Sequence, residues 1–167
     1  MFKSIFLIIT LFLSTSSFAD MDMKIGKKGK LIEVDRTIKV IMYDNYYEPN
    51  SFSVNAGETI KFEVVNAGQL VHEFNIANSM LHIKHQPEML KMVEMQILLA
   101  DSIDHTKMKK IAKVDKAMGH SHDNSVLLEP NQSGELIWNF ENALNIEIAC
   151  NVPGHYQAGM IAAVDIN

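Results

Sequence analysis

The chain contains two long stretches in which apolar and polar residues alternate, separated by a stretch with a different pattern. In the first, residues 37–42 are a β-branched alternating run, and residues 59–66 alternate in the same way. A period of two predicts strands that bury one face. The Asn-Ala-Gly sequence at 55–57 is a turn signal before the second run, and a further strand is predicted at 71–76.

The strand pattern stops between residues 78 and 124, where the chain is rich in methionine, lysine and histidine. Pro87 suits the first turn of a helix, and residues 88–99 show apolar side chains at helical spacing. Asp104 is a suitable N-cap for a second helix that extends to Val114. This block therefore predicts a helical insertion between two strands.

Alternation returns in the last third of the chain. Four further strands are predicted there, at residues 126–128, 135–140, 145–150 and 160–166. Several short strands separated by turns predict an all-β fold, either a β-sandwich or a Greek-key barrel. One domain, residues 31–167, accounts for the pattern and carries the helical insertion at about 78–124.

Residues 1–19 are typical of a signal peptide. Lys3 supplies the positive end, residues 5–12 form a short apolar run, and Ala19 ends a cleavage motif. We expect cleavage after Ala19 and export to the periplasm, followed by a flexible arm at 20–30. A retained membrane anchor is the alternative, but the apolar run is shorter than the roughly 20 residues that a span needs.

Composition fits one globular domain, because 47% of the 167 residues are hydrophobic and 21% are charged. The net charge of -5 disfavours nucleic-acid binding, since phosphate contacts need a basic face. Cys150 is the single cysteine. In an exported chain an unpaired cysteine is a structural thiol, an intermolecular bridge or a metal ligand. The 11 methionines and 7 histidines favour copper, which binds thioethers and imidazoles.

Three potential ligands lie in one loop between two predicted strands. Cys150, His155 and Met160 flank a Pro-Gly turn at 153–154. A thiolate, two imidazoles and a weak thioether are the ligands of a type 1 copper centre. The second imidazole must come from elsewhere, and His72 is the candidate, because it follows the turn after a strand whose end can lie beside this loop.

The spacing Cys-x4-His-x4-Met, with a histidine upstream, resembles that of the cupredoxins, the type 1 blue copper proteins. The loop is similar in length and in its Pro-Gly-His core to those of auracyanin and rusticyanin. The resemblance covers roughly residues 31–76 and 126–167, and it implies a Greek-key β-sandwich of the eight-stranded type. The copper ligands that it implies are His72, Cys150 and His155 in the equatorial plane and Met160 as the axial ligand.

Two features depart from the pattern of many cupredoxins. Glu73 follows the first histidine, where many members have asparagine, and this changes the surroundings of the copper. The Met/His-rich insertion is similar instead to periplasmic cupredoxins linked to copper tolerance. A methionine face packed on the sandwich and a solvated histidine loop are the alternatives to a second copper site there. The candidate groups for such a site are Met89, Met92 and Met95 with His82 and His85, and Met118 with His120 and His122.

These patterns predict a periplasmic copper protein that transfers single electrons to and from a redox partner protein. His155 is the expected electron port, with Ala158 and Met160 in an apolar docking rim. The alternative function is copper handling, in which the insertion binds excess copper and limits its toxicity. An enzyme is not expected, because the chain is too short for a multidomain copper enzyme and lacks a His-Cys-His sequence. We expect a monomer with no membrane span after cleavage.

Overall fold

The computed structural model describes residues 24–167, so the predicted signal peptide and residues 20–23 of the predicted arm lie outside the described residues. No helix within 24–167 is long and apolar enough to cross a membrane. The α-helices of residues 24–167 are α1, Ser79–Glu94, and α2, His105–Ile111. The strands are β1 Lys27–Lys28, β2 Arg36–Tyr43, β3 Tyr46–Glu48, β4 Ser51–Val54, β5 Thr59–Asn66, β6 His72–Ala77, β7 Ser125–Leu128, β8 Ser133–Asn139, β9 Glu147–Ala149 and β10 Ile161–Ile166.

The first sheet has the strand order β1-β8-β5-β2-β3. β5 is its central strand, parallel to β2 and antiparallel to β8. Ile60, Phe62 and Val64 are fully buried on the inner face, whereas Lys61 on the outer face forms an ion pair with Glu135. The alternation along β5 therefore gives one buried and one solvated face, as the sequence predicts.

The predicted arm contributes a strand to the edge of this sheet. β1 pairs with β8, and the indole N–H of Trp138 donates to the carbonyl of Ile25 at 2.7 Å. The polar sequence predicts a mobile segment here, whereas the structure gives residues 24–30 ordered partners. The hydrogen bonds between β1 and β8 and the indole hydrogen bond satisfy backbone groups that would bond to water in a mobile arm.

The second sheet has the order β4-β10-β9-β6-β7 and packs on the first as a β-sandwich. Every residue of β6 is buried. Phe74 packs on Tyr47 and Phe62 between the sheets, while Glu73 on the opposite face contacts His85 of the insertion. The helical insertion, which lies between β6 and β7, therefore covers the outer face of β6.

α1 begins earlier than the sequence predicts. Asn78 is its N-cap and accepts a hydrogen bond from the Leu81 backbone N–H at 2.9 Å, so Pro87 lies inside the helix and not in its first turn. The prediction of a start at Pro87 is wrong because a helix tolerates one lost hydrogen bond when its face is well buried. Met89 and Met92 on that face are fully buried.

Both helices end before the predicted residues. Gln96 follows α1 with a φ of 51°, which takes the chain out of the helix. Asp104 is the N-cap of α2, as predicted, and its side chain accepts from the Lys107 backbone N–H at 2.8 Å. Val114 lies beyond the end of α2 and is 92% exposed, so a longer helix would gain no buried surface there.

Candidate metal centre

The predicted ligand loop connects β9 to β10. The two strands pair antiparallel, so Cys150 after β9 and Met160 before β10 are neighbours, and the Cys150 N–H donates to the Met160 carbonyl at 3.2 Å. Within the loop the His155 N–H donates to the Val152 carbonyl at 2.9 Å. Gly154 has a φ of 93°, a left-handed conformation that favours glycine. The chain therefore turns back tightly and presents three candidate ligands from one loop.

The structure brings three of the four predicted ligands together. Cys150 Sγ lies 3.4 Å from His155 Nδ1 and 3.9 Å from His72 Nδ1, and the ligating atoms of the three residues all lie within 4.8 Å of one another. Bonds from a metal to thiolate or imidazole are about 2.0–2.3 Å long, so an ion fits between these atoms with little movement. Met160, the fourth predicted ligand, is fully buried at the end of the same loop.

Burial favours the neutral forms of these three side chains. It raises the pKa of the Cys150 thiol to about 12, against the opposing effect of the Glu73 backbone N–H, which donates to Sγ at 3.3 Å. Burial lowers the pKa of His72 and of His155 below the ordinary value for imidazole. Both imidazoles are therefore unprotonated near pH 7, whereas the thiol loses its proton when it binds an ion. A thiolate with two neutral imidazoles is a donor set that suits copper.

We expect the Cys150 thiol of the metal-free protein to react slowly with a disulfide reagent. A thiol with a pKa of about 12 is ionised to about one part in 10⁴ at pH 8, against roughly a quarter for an ordinary cysteine. The measured rate should be about 10³-fold below that of free cysteine and should rise about tenfold for each pH unit. A rate close to that of free cysteine would contradict the burial of the thiol.

Asp44, which follows β2, fixes the orientation of His72. Its Oδ1 lies 2.8 Å from His72 Nε2 and accepts the backbone N–H groups of Gln69 and Leu70 at 3.0 and 3.2 Å. Burial acts to raise the pKa of Asp44, but these hydrogen bonds outweigh it, so the pKa lies below its ordinary value. The ionised carboxylate accepts the Nε2 proton, and Nδ1 is left to face Cys150.

We expect Asp44→Asn to raise the reduction potential of bound copper while the colour is kept. For a charge roughly 7 Å from the ion and screened by solvent, Coulomb's law gives on the order of 1 kcal/mol, or about 40 mV for one electron. The loss of this negative charge favours Cu(I). Glu135→Gln, which removes an exposed carboxylate of β8, is the control and should leave the potential unchanged. Equal potentials for Asp44→Asn and wild type would contradict this role.

A second group of histidines meets on the outer side of β6, and we call it the histidine cluster: His85 of α1 with His120 and His122. The three rings form a triangle with centroid distances of 5.4, 5.0 and 5.1 Å, and their ligating nitrogens lie within 4.8 Å of one another. Glu73 Oε1 lies 2.9 Å from His120 Nε2, and Glu88 Oε1 lies 2.9 Å from His122 Nε2.

The histidine cluster combines residues that the sequence assigns to two separate groups. His82 lies elsewhere: it is buried, and its Nδ1 is 3.1 Å from the side-chain nitrogen of Asn151, next to Cys150. The four methionines of the two groups are part of the hydrophobic core or pack against it, which agrees with the packed-methionine alternative. They are Met89, Met92, Met95 and Met118.

Three acidic residues beside these sites are not assigned a role by the sequence. Asp44 is a turn signal, Glu88 lies in a helical pattern, and Glu73 stands out only against the asparagine common in cupredoxins. Burial acts to raise the pKa of Glu73, but hydrogen bonds with His120 and His85 outweigh it and hold the pKa well below its ordinary value. The one available signal for Glu73 is its charge inside a predicted strand at 71–76, because a charged residue is rarely buried without partners.

A β-sandwich that holds one buried thiol between two imidazoles, in a loop joining two paired strands, defines a protein of the cupredoxin class. The family model described as the cupredoxin-like domain matches residues 3–98. The chain belongs to the cupredoxin family of copper proteins.

Curated relatives and solved structures agree with this family. The chain is 42% identical over 147 residues to the copper-resistant cuproprotein CopI of Pseudomonas aeruginosa, with 84% of this chain and 81% of that protein covered. It is 30% identical over 146 residues to CopI of Rubrivivax gelatinosus, with 87% and 74% covered.

The fold is similar to that of the auracyanins. Auracyanin B aligns with a TM-score of 0.59 at 14% identity, with 85% of this chain and 96% of that chain covered. Reduced auracyanin from Roseiflexus castenholzii aligns with a TM-score of 0.56 at 18% identity, with 80% and 98% covered. These likenesses show that the predicted cupredoxin β-sandwich is the correct fold.

Proposed function

We propose that the chain binds one type 1 copper through His72, Cys150, His155 and Met160 and carries single electrons to and from a redox partner protein. The observation that carries this proposal is the position of the Cys150 sulfur, 3.4 and 3.9 Å from two imidazole nitrogens. Membership of the cupredoxin family supports copper as the ion. Copper, when bound, supplies a one-electron change between Cu(II) and Cu(I).

The contacts of the ligands favour a site that keeps its shape. His72 is held by Asp44 at 2.8 Å, and the Cys150 sulfur accepts the Glu73 backbone N–H at 3.3 Å. Ligands that the protein's own hydrogen bonds orient need little rearrangement when the charge of the ion changes. Full burial of Cys150 and Met160 keeps water away from the sulfur donors.

His155 is the proposed electron port. It is partly exposed and adjoins a surface depression with an apolar lining that includes Leu70, Leu99 and Pro153. Such a surface suits brief docking of a partner protein. The expectation that Met160 is part of this rim is wrong, because Met160 is fully buried.

A redox titration of the copper-loaded protein tests this function. We expect the visible colour to disappear on addition of one electron per copper and to return on reoxidation. Met160→Gln should keep a coloured site with a lower potential, because an amide oxygen stabilises Cu(II) more than a thioether does. Met80→Gln, a substitution at a half-exposed residue, is the control. An unchanged potential for Met160→Gln would remove Met160 from the ligand set, and a titration without a one-electron end point would contradict the carrier function.

Copper handling is the second candidate function, with the histidine cluster as a second copper site. The observation that favours it is the approach of the ligating atoms of His85, His120 and His122 to within 4.8 Å, because imidazole binds copper well. The names of the relatives, copper-resistant cuproproteins, support the same function.

Copper counted per chain tests this second function. We expect two tightly bound coppers in the wild-type protein and one in His120→Ala, with the visible spectrum retained. His105→Ala, at a histidine that is 58% exposed and outside the cluster, is the control and should keep both. One copper per chain in wild type and variant alike would contradict copper handling at this site.

The proposal includes the periplasm as location and a monomeric, non-enzymatic protein. The signal-peptide pattern of residues 1–19 supports export. The net charge of -5 supports a partner with a basic surface and argues against nucleic acid. Cell fractionation and light scattering of the purified protein test location and oligomeric state.

A further inference from the structure

Glu73 lies between the two sites. It follows His72 in β6 and is fully buried. Its Oε1 lies 3.1 Å from His85 Nε2 and 2.9 Å from His120 Nε2, so this oxygen faces the histidine cluster. Its Oε2 accepts hydrogen bonds from the backbone N–H and the side-chain nitrogen of Asn151, at 3.2 and 2.7 Å. The two oxygens of one carboxylate therefore bond to different parts of the protein.

The same residue reaches the proposed copper ligands. The Glu73 backbone N–H donates to Cys150 Sγ at 3.3 Å, and Asn151, which Oε2 holds, directly follows Cys150. Hydrogen bonding around a cysteine sulfur is one of the factors that set the properties of a type 1 copper. Residues that orient a metal ligand also affect the properties of the bound metal. Glu73 thus acts on the thiol through both its backbone and its side chain.

The partners of Glu73 compensate its charge. A buried carboxylate is costly unless hydrogen bonds or charges balance it. Here the imidazoles of His85 and His120, the side-chain amide of Asn75, which donates to Oε1 at 3.1 Å, and the amide groups of Asn151 do so. A cation bound to those imidazoles puts positive charge beside Oε1 and alters its two imidazole hydrogen bonds. Because a carboxylate is planar and rigid, a change at Oε1 also changes the bonds at Oε2.

We propose that Glu73 is a positioning residue shared by both sites, and that a divalent cation held by the histidine cluster alters the type 1 copper centre through it. This inference rests on the proposed type 1 site. Three imidazoles with a carboxylate are a donor set for Zn²⁺ or Cu²⁺. Two nitrogens bound to one such ion lie at most about 4.2 Å apart, so the cluster, whose ligating atoms lie within 4.8 Å of one another, closes on an ion with a small movement.

Zinc is the probe, because it is colourless and has no redox change of its own. Protein loaded with one copper per chain is titrated with Zn²⁺, with zinc binding followed by calorimetry and the copper centre by its visible band and reduction potential. We expect saturation at one zinc per chain, and a band shift and a rise in potential that follow the same binding curve. The potential rises because positive charge beside Glu73 favours Cu(I). Copper analysis after the titration excludes displacement by zinc.

Two carboxylate variants separate coupling from simple zinc binding. Glu88 contacts His122 at 2.9 Å and His85 at 3.6 Å, and both of these partners are in the cluster. We expect Glu73→Gln and Glu88→Gln each to weaken zinc binding about 10- to 100-fold. At saturating zinc, Glu88→Gln should keep the wild-type band shift and Glu73→Gln should lose it. His122→Ala should lose both zinc binding and the shift.

Zinc that binds to the wild-type protein without changing the band or the potential would overturn the inference, and this result does not depend on the folding of any variant. Failure of zinc to bind at the cluster, or equal shifts in Glu73→Gln and wild type, would overturn it as well. A copper-loaded protein that has no intense thiolate band before zinc is added would contradict the proposed type 1 site. It would therefore also contradict the coupling, which depends on that site.

Discussion

Replacing Cys150 with serine is expected to abolish the intense visible absorption of the copper-loaded protein. That absorption arises from charge transfer between a thiolate sulfur and Cu(II), and a serine oxygen cannot supply it. Cys150 is the single cysteine in the sequence, so no other residue can replace its thiolate. The two imidazoles of His72 and His155 remain, and we expect the variant to keep copper with much lower affinity and a weak spectrum.

The control for this variant is Val152→Ala, which shortens a buried neighbour in the same loop and keeps the thiol. It should keep the intense band. The spectra are recorded with copper counted in each sample, so that loss of colour is separated from loss of metal. A serine variant that binds copper and shows the wild-type spectrum would exclude Cys150 as a ligand.

Phe62→Ala is expected to have the largest effect on stability, about 3–5 kcal/mol. Phe62 lies at the centre of the sandwich, with ring centroids 5.9 Å from Phe52, 5.1 Å from Phe74 and 6.4 Å from Phe140. Alanine leaves a cavity among three rings, two of which lie on β4 and β6 and the third directly after β8. Because a domain is typically stable by only about 5–15 kcal/mol, we expect a large fall in the urea midpoint of the metal-free protein.

Val65→Ala is the matched control, because Val65 lies on the same strand as Phe62, faces outward and is 40% exposed. It should cost less than about 1 kcal/mol. Equal free energies of unfolding for the two variants would mean that Phe62 is not part of a closely packed core.

Most strands of the sandwich are predictable from the sequence, because one face of each strand contacts solvent and the other is buried. The alternation of β5 is visible in Ile60, Phe62 and Val64, all of them fully buried. β6 is harder, since both faces are covered and every residue from His72 to Ala77 is buried. The covering insertion also explains why the sequence places the helix limits incorrectly. The core contacts of Met89 and Met92 decide where α1 extends, and Pro87 does not.

The two candidate sites differ in how much of each is predictable. Cys150, His155 and Met160 occupy one loop, so their grouping is visible as spacing. Asp44 meets His72 only because parallel pairing of β2 with β5 brings the end of β2 to the turn before β6. A contact of this kind depends on sheet topology, which residue spacing does not encode.

The sequence divides the histidine cluster into two groups for the same reason. His85 lies on α1, whereas His120 and His122 follow a short 3-10 helix more than thirty residues later. The buried carboxylate of Glu73, bonded to both His85 and His120, joins these segments on the outer face of β6. Only the packing of the insertion on β6 brings the three histidines of the cluster together.

Visible absorption and electron paramagnetic resonance of the purified protein, with copper counted per chain, test the central claim most directly. With one copper per chain we predict an intense thiolate-to-copper band together with the narrow copper hyperfine splitting of a type 1 centre. A weak band with the wide splitting of copper bound by nitrogen and oxygen alone would contradict coordination by the Cys150 thiolate.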